Sequence, residues 1–370
     1  MTNNRNDIII AGGGLAGMAT AYYLKKYVPQ LKVKLLEQRS EYSQDKHWSF
    51  WLDKNTDFDF AHIIHQSYQK WCVGIDDNSI CNSERFSYSV IRSADWYADV
   101  LSVINDVVEF NVTCEMVSKQ EVTTNKGTYR APMIINALPI EFAATSLYQQ
   151  FNGYLVKSSN PAFNPDCATL MDFSISQPSD NNRICSFMYV LPFNTQEALV
   201  EPTVFTRNTI SQQWFEDALS SYMTKKNIEN WSIVETESGM LPLGFLQPTS
   251  DSGFPIGTRA GWIRPSTGYA FLNSLSLAKL LAKEIATTGA LPKTPYSPYS
   301  KSAKWMDRIF LEVMQQSPHL LPNIFNHWFK YLPADDMVKF MQDSVGPLIT
   351  ARLILNTPHK RQFMRQLWMS

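Results

Sequence analysis

Apolar positions along the chain follow patterns that change from one segment to the next. Asp7 to Ala11 (Asp-Ile-Ile-Ile-Ala) is a short unbroken apolar run, as expected of a strand buried on both faces. A glycine-rich turn follows at once. Leu15, Met18, Ala19, Ala21 and Leu24 then continue as good helix formers to Tyr27, Pro29 closes the segment, and Lys32 to Glu37 reads as a second strand. Together these make a βαβ unit of about the usual ~30 residues. Further strands are predicted at Trp71–Ile75, Arg85–Ile91, Val107–Val112, Glu121–Thr124 and Met133–Asn136, with a helix over Ala94–Ile104. Ala168 to Thr206 is again rich in strand signals and points to a second sheet, Tyr269 to Ala286 has helical spacing, and the chain beyond Pro292 is mostly helical. No internal repeat or low-complexity tract interrupts this order.

With 370 residues and 44% hydrophobic content the chain can fill a sizeable core. Lys and Arg total 33 against 34 for Asp and Glu, without a long run of either sign, so there is no basic footprint for nucleic acid. None of the five cysteines, Cys72, Cys81, Cys114, Cys167 and Cys185, is spaced as a zinc ligand pair or redox dithiol, which suggests reduced thiols. His62 and His65 have no companion acid or cysteine pattern and read as ordinary histidines, so no metal is expected. The N-terminal residues lack a signal-peptide pattern, and no uncharged apolar stretch reaches the ~18 residues that suggest a span. A cytoplasmic protein that does not cross a bilayer is the expectation. Aromatics make up 13%, enough for a large core or for a pocket that takes an apolar substrate.

Gly12-Gly13-Gly14-Leu15-Ala16-Gly17 lies between the first strand and the helix. Glycine is needed at three of these places: Gly12 for the tight turn, Gly14 so that backbone can approach a pyrophosphate, and Gly17 for close helix–strand packing. The helix N-terminus offers free N–H groups to phosphates. Glu37, at the end of the second strand, is placed to accept a hydrogen bond from a ribose hydroxyl. Preceding strand, following helix, unit length and distal acid coincide, which marks a nucleotide site. A second segment, Arg259 to Tyr269, stands just before a predicted helix, and Ser266 or Thr267 is positioned to cap it, turning that helix's N-terminus toward an anionic group. A plain capped helix explains the same residues.

Several short motifs occur in one order: the glycine turn, His47-Trp48-Ser49-Phe50, Met171-Asp172, Tyr189-Val190-Leu191-Pro192, Glu201 with Thr203, Gly239-Met240-Leu241-Pro242, Pro265-Ser266-Thr267-Gly268-Tyr269 and Tyr331-Leu332-Pro333. In these the chain resembles the bacterial lycopene β-cyclases. Two departures stand out: Pro202 occupies the place of a second acid after the glutamate, and Asn136-Ala137-Leu138-Pro139 replaces an Asp-Gly-Arg-Gly stretch. The resemblance implies an α/β fold with a glutathione-reductase-type FAD-binding Rossmann domain (1–140 and 251–290). It further implies an inserted β-sheet substrate domain (141–250 with part of 45–92) and a helical C-terminal region (291–370). FAD, used in its reduced form and recharged by NAD(P)H, would be held by Gly12, Gly13, Gly14, Leu15, Ala16, Gly17, Glu37, His47, Trp48, Arg92, Pro265, Ser266, Thr267, Gly268 and Tyr269.

The reaction implied is ring closure on a linear carotenoid or related polyene without net redox change. It needs a proton delivered to a terminal alkene, a carbocation kept from water, and a proton removed afterwards. Glu201, in Ala-Leu-Val-Glu-Pro-Thr, is the candidate acid, because burial in an apolar tunnel favours its protonated form. Without the resemblance it reads as a strand-end carboxylate in solvent. Trp48, Tyr189, Phe193 and Trp262 are candidate aromatic faces for the cation, with Asp172, Tyr189, Phe193 and Trp262 grouped at the substrate. Asp172 sits in an apolar context that calls for a partner or a place at the tunnel. From Trp305 to Trp368 apolar residues mix with Lys and Arg, as in a helical face lying on the inner surface of a membrane or in a cap packed on the core. The main alternative is an FAD-dependent monooxygenase or reductase acting on an isoprenoid or other apolar substrate. Against the oxygenase stands Gly261-Trp262, where such enzymes carry a Gly-Asp pair.

Overall fold

The computed structural model describes residues 6–74, 79–140, 147–175, 184–245, 252–342 and 346–359. Ile75 and the residues from 360 to Trp368 invoked above lie outside them. Two compact units are present. The first comprises Met1–Trp48, Arg92–Phe142 and Phe245–Ser300, the second Ser49–Ile91, Ala143–Gly244 and Lys301–Ser370. Strands and helices are numbered along the whole chain.

The first unit contains β1 (Ile8–Ala11), α1 (Leu15–Tyr27), β2 (Val33–Leu36), α2 (Ser93–Ile104), β8 (Val108–Glu109), β9 (Cys114–Val117), β10 (Glu121–Thr124), β11 (Gly127–Arg130), β12 (Met133–Asn136), β18 (Phe254–Pro255) and α4 (Phe271–Thr288). Five strands form a parallel sheet in the order β18-β12-β1-β2-β8. β1 is central, which is why its Ile-Ile-Ile-Ala is apolar on both faces and fully buried. α1 packs on α4, and a three-stranded antiparallel sheet, β9 to β11, shares a core with the parallel one through Ile9, Leu36, Val122 and Ile134. This is the dinucleotide-binding architecture that the βαβ pattern predicts. The expected strand Val107–Val112 shortens to the two residues of β8.

The second unit contains β4 (Gln66–Tyr68), β5 (Lys70–Gly74), β6 (Ser79–Asn82), β7 (Phe86–Arg92), β13 (Leu147–Ser158), β14 (Cys167–Asp172), β15 (Cys185–Pro192), β16 (Glu197–Thr206), α3 (Gln212–Lys225) and β17 (Trp231–Leu243). It also holds α5 (Lys301–Gln316), α6 (Leu321–Tyr331), α7 (Ala334–Met341) and α8 (Pro347–Leu355), while β3 (His47–Asp53) enters it from the first unit. Seven strands form one sheet in the order β17-β13-β16-β15-β14-β5-β6, and β3, β7 and β4 form a smaller one. α3 covers one face of the large sheet, its Phe215, Leu219, Tyr222 and Met223 packing on Tyr154, Met188, Val190, Val200 and Val204. α6 packs on β5 and β6. The C-terminal helices bury most of their apolar residues, including Phe310, Met314, Ile324, Phe325 and Trp328. Leu348, Ile354 and Leu355 of α8 stay exposed. No described helix is long and apolar enough to cross a membrane.

Candidate functional site

Two sets of side chains carry chemistry, one in each unit. In the first, the glycine turn does what its residue types demand. Gly12 has φ +100°, a conformation that favours glycine. A Cβ on Gly17 would lie 2.0 Å from the Gly12 carbonyl oxygen, so helix and strand approach this closely only with glycine there. A Cβ on Gly14 would meet nothing within 4 Å. Gly14 caps α1, with Leu15 and Ala16 following in its first turn, and no acidic side chain occupies that turn. The open space before these N–H groups suits a phosphate.

Glu37 lies at the end of β2, its side chain almost wholly buried. Its carboxylate accepts hydrogen bonds from the Arg39 backbone N–H (2.8 Å), Arg39 Nε (3.1 Å) and, more weakly, the Tyr42 hydroxyl (3.4 Å). Tyr42 also donates to the Gly13 carbonyl at 2.8 Å, which closes the loop over the turn. The expected ribose acceptor is therefore bound by its own chain, and Tyr42 holds the longest of these bonds.

Ser93 at the start of α2 accepts from the backbone N–H groups of Asp45 (2.9 Å) and Lys46 (3.1 Å), fixing the approach to His47 and Trp48 beside Arg92. Trp48 stacks on Phe271 (5.2 Å) and meets Trp96 edge-on (5.3 Å).

The later segment differs from the capped helix expected at Tyr269. α4 starts at Phe271 behind Ala270, without a side-chain cap. Pro265, Ser266, Thr267 and Gly268 instead form a turn. The Arg264 carbonyl accepts from Thr267 N–H (3.3 Å) and Gly268 N–H (2.9 Å), and Gly268 takes φ +72°. A turn that closes on Arg264 consumes the residues that would have capped the helix. Thr267 Oγ1 and Trp262 Nε1 are buried and have no hydrogen-bond partner among the described residues. A Cβ on Gly257, in the segment before this turn, would lie 2.8 Å from Ala16 Cβ, so that segment lies against the glycine turn. Open N–H groups at one end and orphaned polar atoms at the other fit an extended dinucleotide.

In the second unit the register of the large sheet sorts its candidates. Glu201 stands in the middle of the ten-residue β16, only 7% exposed, and is not the solvated strand-end carboxylate that it reads as without the resemblance. It lies directly opposite Tyr189 of β15, whose hydroxyl shares a 2.9 Å hydrogen bond with Tyr88 of β7. Leu199, Thr203, Phe205 and Phe187 share this face, with Phe187 against Phe205 at 5.3 Å. Thr203 donates to Glu201 Oε1 at 3.2 Å. Burial in this apolar setting, then the negative charge of Glu237, push the Glu201 carboxyl well above its usual range against the smaller opposing effect of Thr203. Both effects favour its protonated, neutral form.

Asp172 pairs across the sheet with Met188, whose neighbours face α3, so it points to the opposite side from Glu201. There it is bound by the Tyr222 hydroxyl (3.2 Å) and Lys226 (2.9 Å). The partner demanded by its apolar context is present, and that partnership belongs to the α3 face. Phe193 sits at the β15–β16 turn with its ring edge-on to His65 at 4.7 Å. Trp262 belongs to the first unit, where it is buried and its carbonyl accepts from the Tyr299 hydroxyl. Glu237, which acts on Glu201, is absent from the candidates read from sequence; its signal there is only an acid in a polar stretch just before Gly239-Met240-Leu241-Pro242.

The family model described as lycopene cyclase protein matches residues 7–365. The chain belongs to this family. Family relatives include a Pseudescherichia vulneris protein named lycopene beta-cyclase, 25% identical over 95% of this chain and 94% of its own length. A Solanum lycopersicum protein named neoxanthin synthase is 24% identical over 75% of this chain. The chain spans about 60% of the length of the plant relatives it matches. Among solved structures, a geranylgeranyl bacteriochlorophyll reductase-like protein of Thermoplasma acidophilum superposes with TM-score 0.61 at 15% identity, covering 98% of both chains. Klebsiella pneumoniae HpxO complexed with FAD and uric acid gives 0.61 at 13% identity over 93% of this chain and 98% of its own. These structures share the fold.

Proposed function

We propose that the protein closes the end group or groups of a linear carotenoid, or a related polyene, by acid catalysis without net redox change. The observation that carries this reading is Glu201, a carboxyl buried on a sheet face lined with apolar and aromatic side chains, a setting that favours its protonated form. A neutral pathway has no use for such a group, whereas protonation of an alkene requires an acid with its proton in place near neutral pH. Glu201 gives its proton to the terminal double bond, Leu199, Phe187 and Phe205 exclude water from the cation, and the Tyr189 ring offers its face at about 0.5–2 kcal/mol. Thr203 fixes the carboxyl's orientation. The cofactor in this reading is FAD, held at the Gly12–Gly17 turn and at Pro265–Tyr269, with NAD(P)H as reductant; when bound and reduced it supplies negative charge that favours a cation. Family membership and the fold shared with an FAD complex support this assignment. A carotenoid does not travel through water, and the exposed Leu348, Ile354 and Leu355 of α8 suit contact with a membrane surface.

The test is expression in a lycopene-accumulating bacterial host, beside Glu201→Gln, with pigment followed by absorption and mass. A ring-closed product of unchanged mass from wild type, and none from the variant, is expected. Persistent lycopene overturns the substrate assignment, and a product of altered mass returns the protein to the oxygenase or reductase reading.

A further inference from the structure

Ring closure needs a base as well as an acid, and Pro202 occupies the place beside Glu201 where a second acid was expected. The sheet supplies one from elsewhere. Phe151 pairs with Thr203 and Tyr154 with Val200, which sets Gly153 opposite Glu201; on its other side Gly153 pairs with Glu237 of β17. Glu201, Gly153 and Glu237 therefore lie in one row across three strands, with side chains on one face. Adjacent strands are about 4.8 Å apart, so the outer two backbones are separated by roughly 10 Å, a gap that two glutamate side chains span between them. Glycine leaves that gap open. A Cβ on Gly153 would lie 2.6 Å from Glu237 Cγ and 3.1 Å from Leu199 Cδ1, so the Glu237 side chain already occupies the space above the glycine. Phe151, from β13, covers Gly239 in the same manner, its ring 2.3 Å from where a Cβ would be. Glu237 is half-buried on the edge strand, whereas Glu201 is buried two strands inward.

From this row we infer that Glu237 is the second catalytic carboxylate: it removes the proton after ring closure and returns it to Glu201. The inference rests on the cyclase reading above. The step balances: Glu201 loses a proton to the terminal alkene carbon, a carbon–carbon bond forms, and the ring carbocation loses a proton to Glu237. Transfer from Glu237 to Glu201 then restores both groups, with no change of mass or redox state. Two carboxyls that interact across one gap favour a single shared proton, consistent with the charge of Glu237 holding Glu201 protonated. The other titratable described residues placed on this face by the register are Glu197 of β16, Lys157 of β13, Tyr189 and Cys185 of β15, Glu235 of β17 and, farther across the sheet, Cys81 of β6, with Tyr88 reaching Tyr189 from β7.

The experiment uses the full chain with its cofactor and compares wild type, Glu201→Gln, Glu237→Gln and the double variant. Lycopene turnover in micelles is measured together with infrared titration of the Glu201 carboxyl, identified by its loss in Glu201→Gln. Glu237→Gln is expected to lower kcat at least ~100-fold with little change in KM. It also moves the Glu201 titration to lower pH, and the double variant is no slower than the slower single one. An unchanged kcat in Glu237→Gln overturns the base role, and an unmoved titration overturns the pairing. Gly153→Ala, which keeps both acids but crowds Glu237, moves the titration in the same direction and decides the matter if Glu237→Gln does not fold. Failure of wild type to close rings on lycopene sinks the cyclase reading and the base role with it, whereas an unmoved titration in a wild type that does close rings sinks the pairing alone.

Discussion

Replacing the buried acid should make the protein more stable as it makes it inactive. Glu201→Gln keeps the side chain's shape and leaves an oxygen for Thr203 to donate to, but removes the ionisable group. In the unfolded chain that group titrates near its ordinary value of 4.5, while in the folded protein burial first, and Glu237 second, raise it well above that. Above pH 4.5 the folded state thus holds a proton that the unfolded state releases. Stability falls as pH rises from there toward the raised folded value, and is independent of this group at lower pH. The slope inside that window is about 1.4 kcal/mol per pH unit, so the wild type loses ground to the variant with every unit crossed. At about 1.3 °C per kcal/mol for a chain of 370 residues, each pH unit is worth roughly 2 °C in Tm. Thermal unfolding followed by circular dichroism from acid to neutral pH measures it. The wild-type Tm should drop away from that of Glu201→Gln as pH rises. Parallel curves, or a variant less stable than wild type at neutral pH, would refute the claim that Glu201 is folded as a neutral acid.

Gly17→Ala places a methyl 2.0 Å from the Gly12 carbonyl oxygen, so purified protein should lose its bound flavin absorbance and several degrees of Tm. Asp172→Asn removes the charge that Lys226 and Tyr222 bind on the α3 face; denaturant unfolding should show a loss of about 1–3 kcal/mol, larger than any loss in turnover per folded molecule. A fall in turnover with unchanged stability would return Asp172 to the substrate side. Leu348→Glu with Leu355→Glu should weaken sedimentation with lipid vesicles while leaving Tm within about 1 °C, since both residues are exposed.

The glycine turn of the candidate nucleotide site was legible because independent demands converge on a few residues. An apolar run, a helix pattern and a distal acid surround Gly12 and Gly17, and the structure gives each glycine a steric reason. The return segment was legible as a place but not as a conformation, since the turn on Arg264 depends on Gly268 taking positive φ. Glu201 was harder to place. β16 is buried on both faces, so no alternation of apolar and polar residues marks the face that carries Leu199, Glu201, Thr203 and Phe205. β13 and β17 went unread for related reasons. One carries Gln149, Gln150, Asn152 and Gly153 within a strand, and the other is an edge strand with apolar Val234 and Met240 facing outward. Propensity scores each of these as a defect. Yet Gly153 is the position at which any side chain would push Glu237 away from Glu201, so the residue that hides the strand from a sequence reading is the one that brings its two acids together.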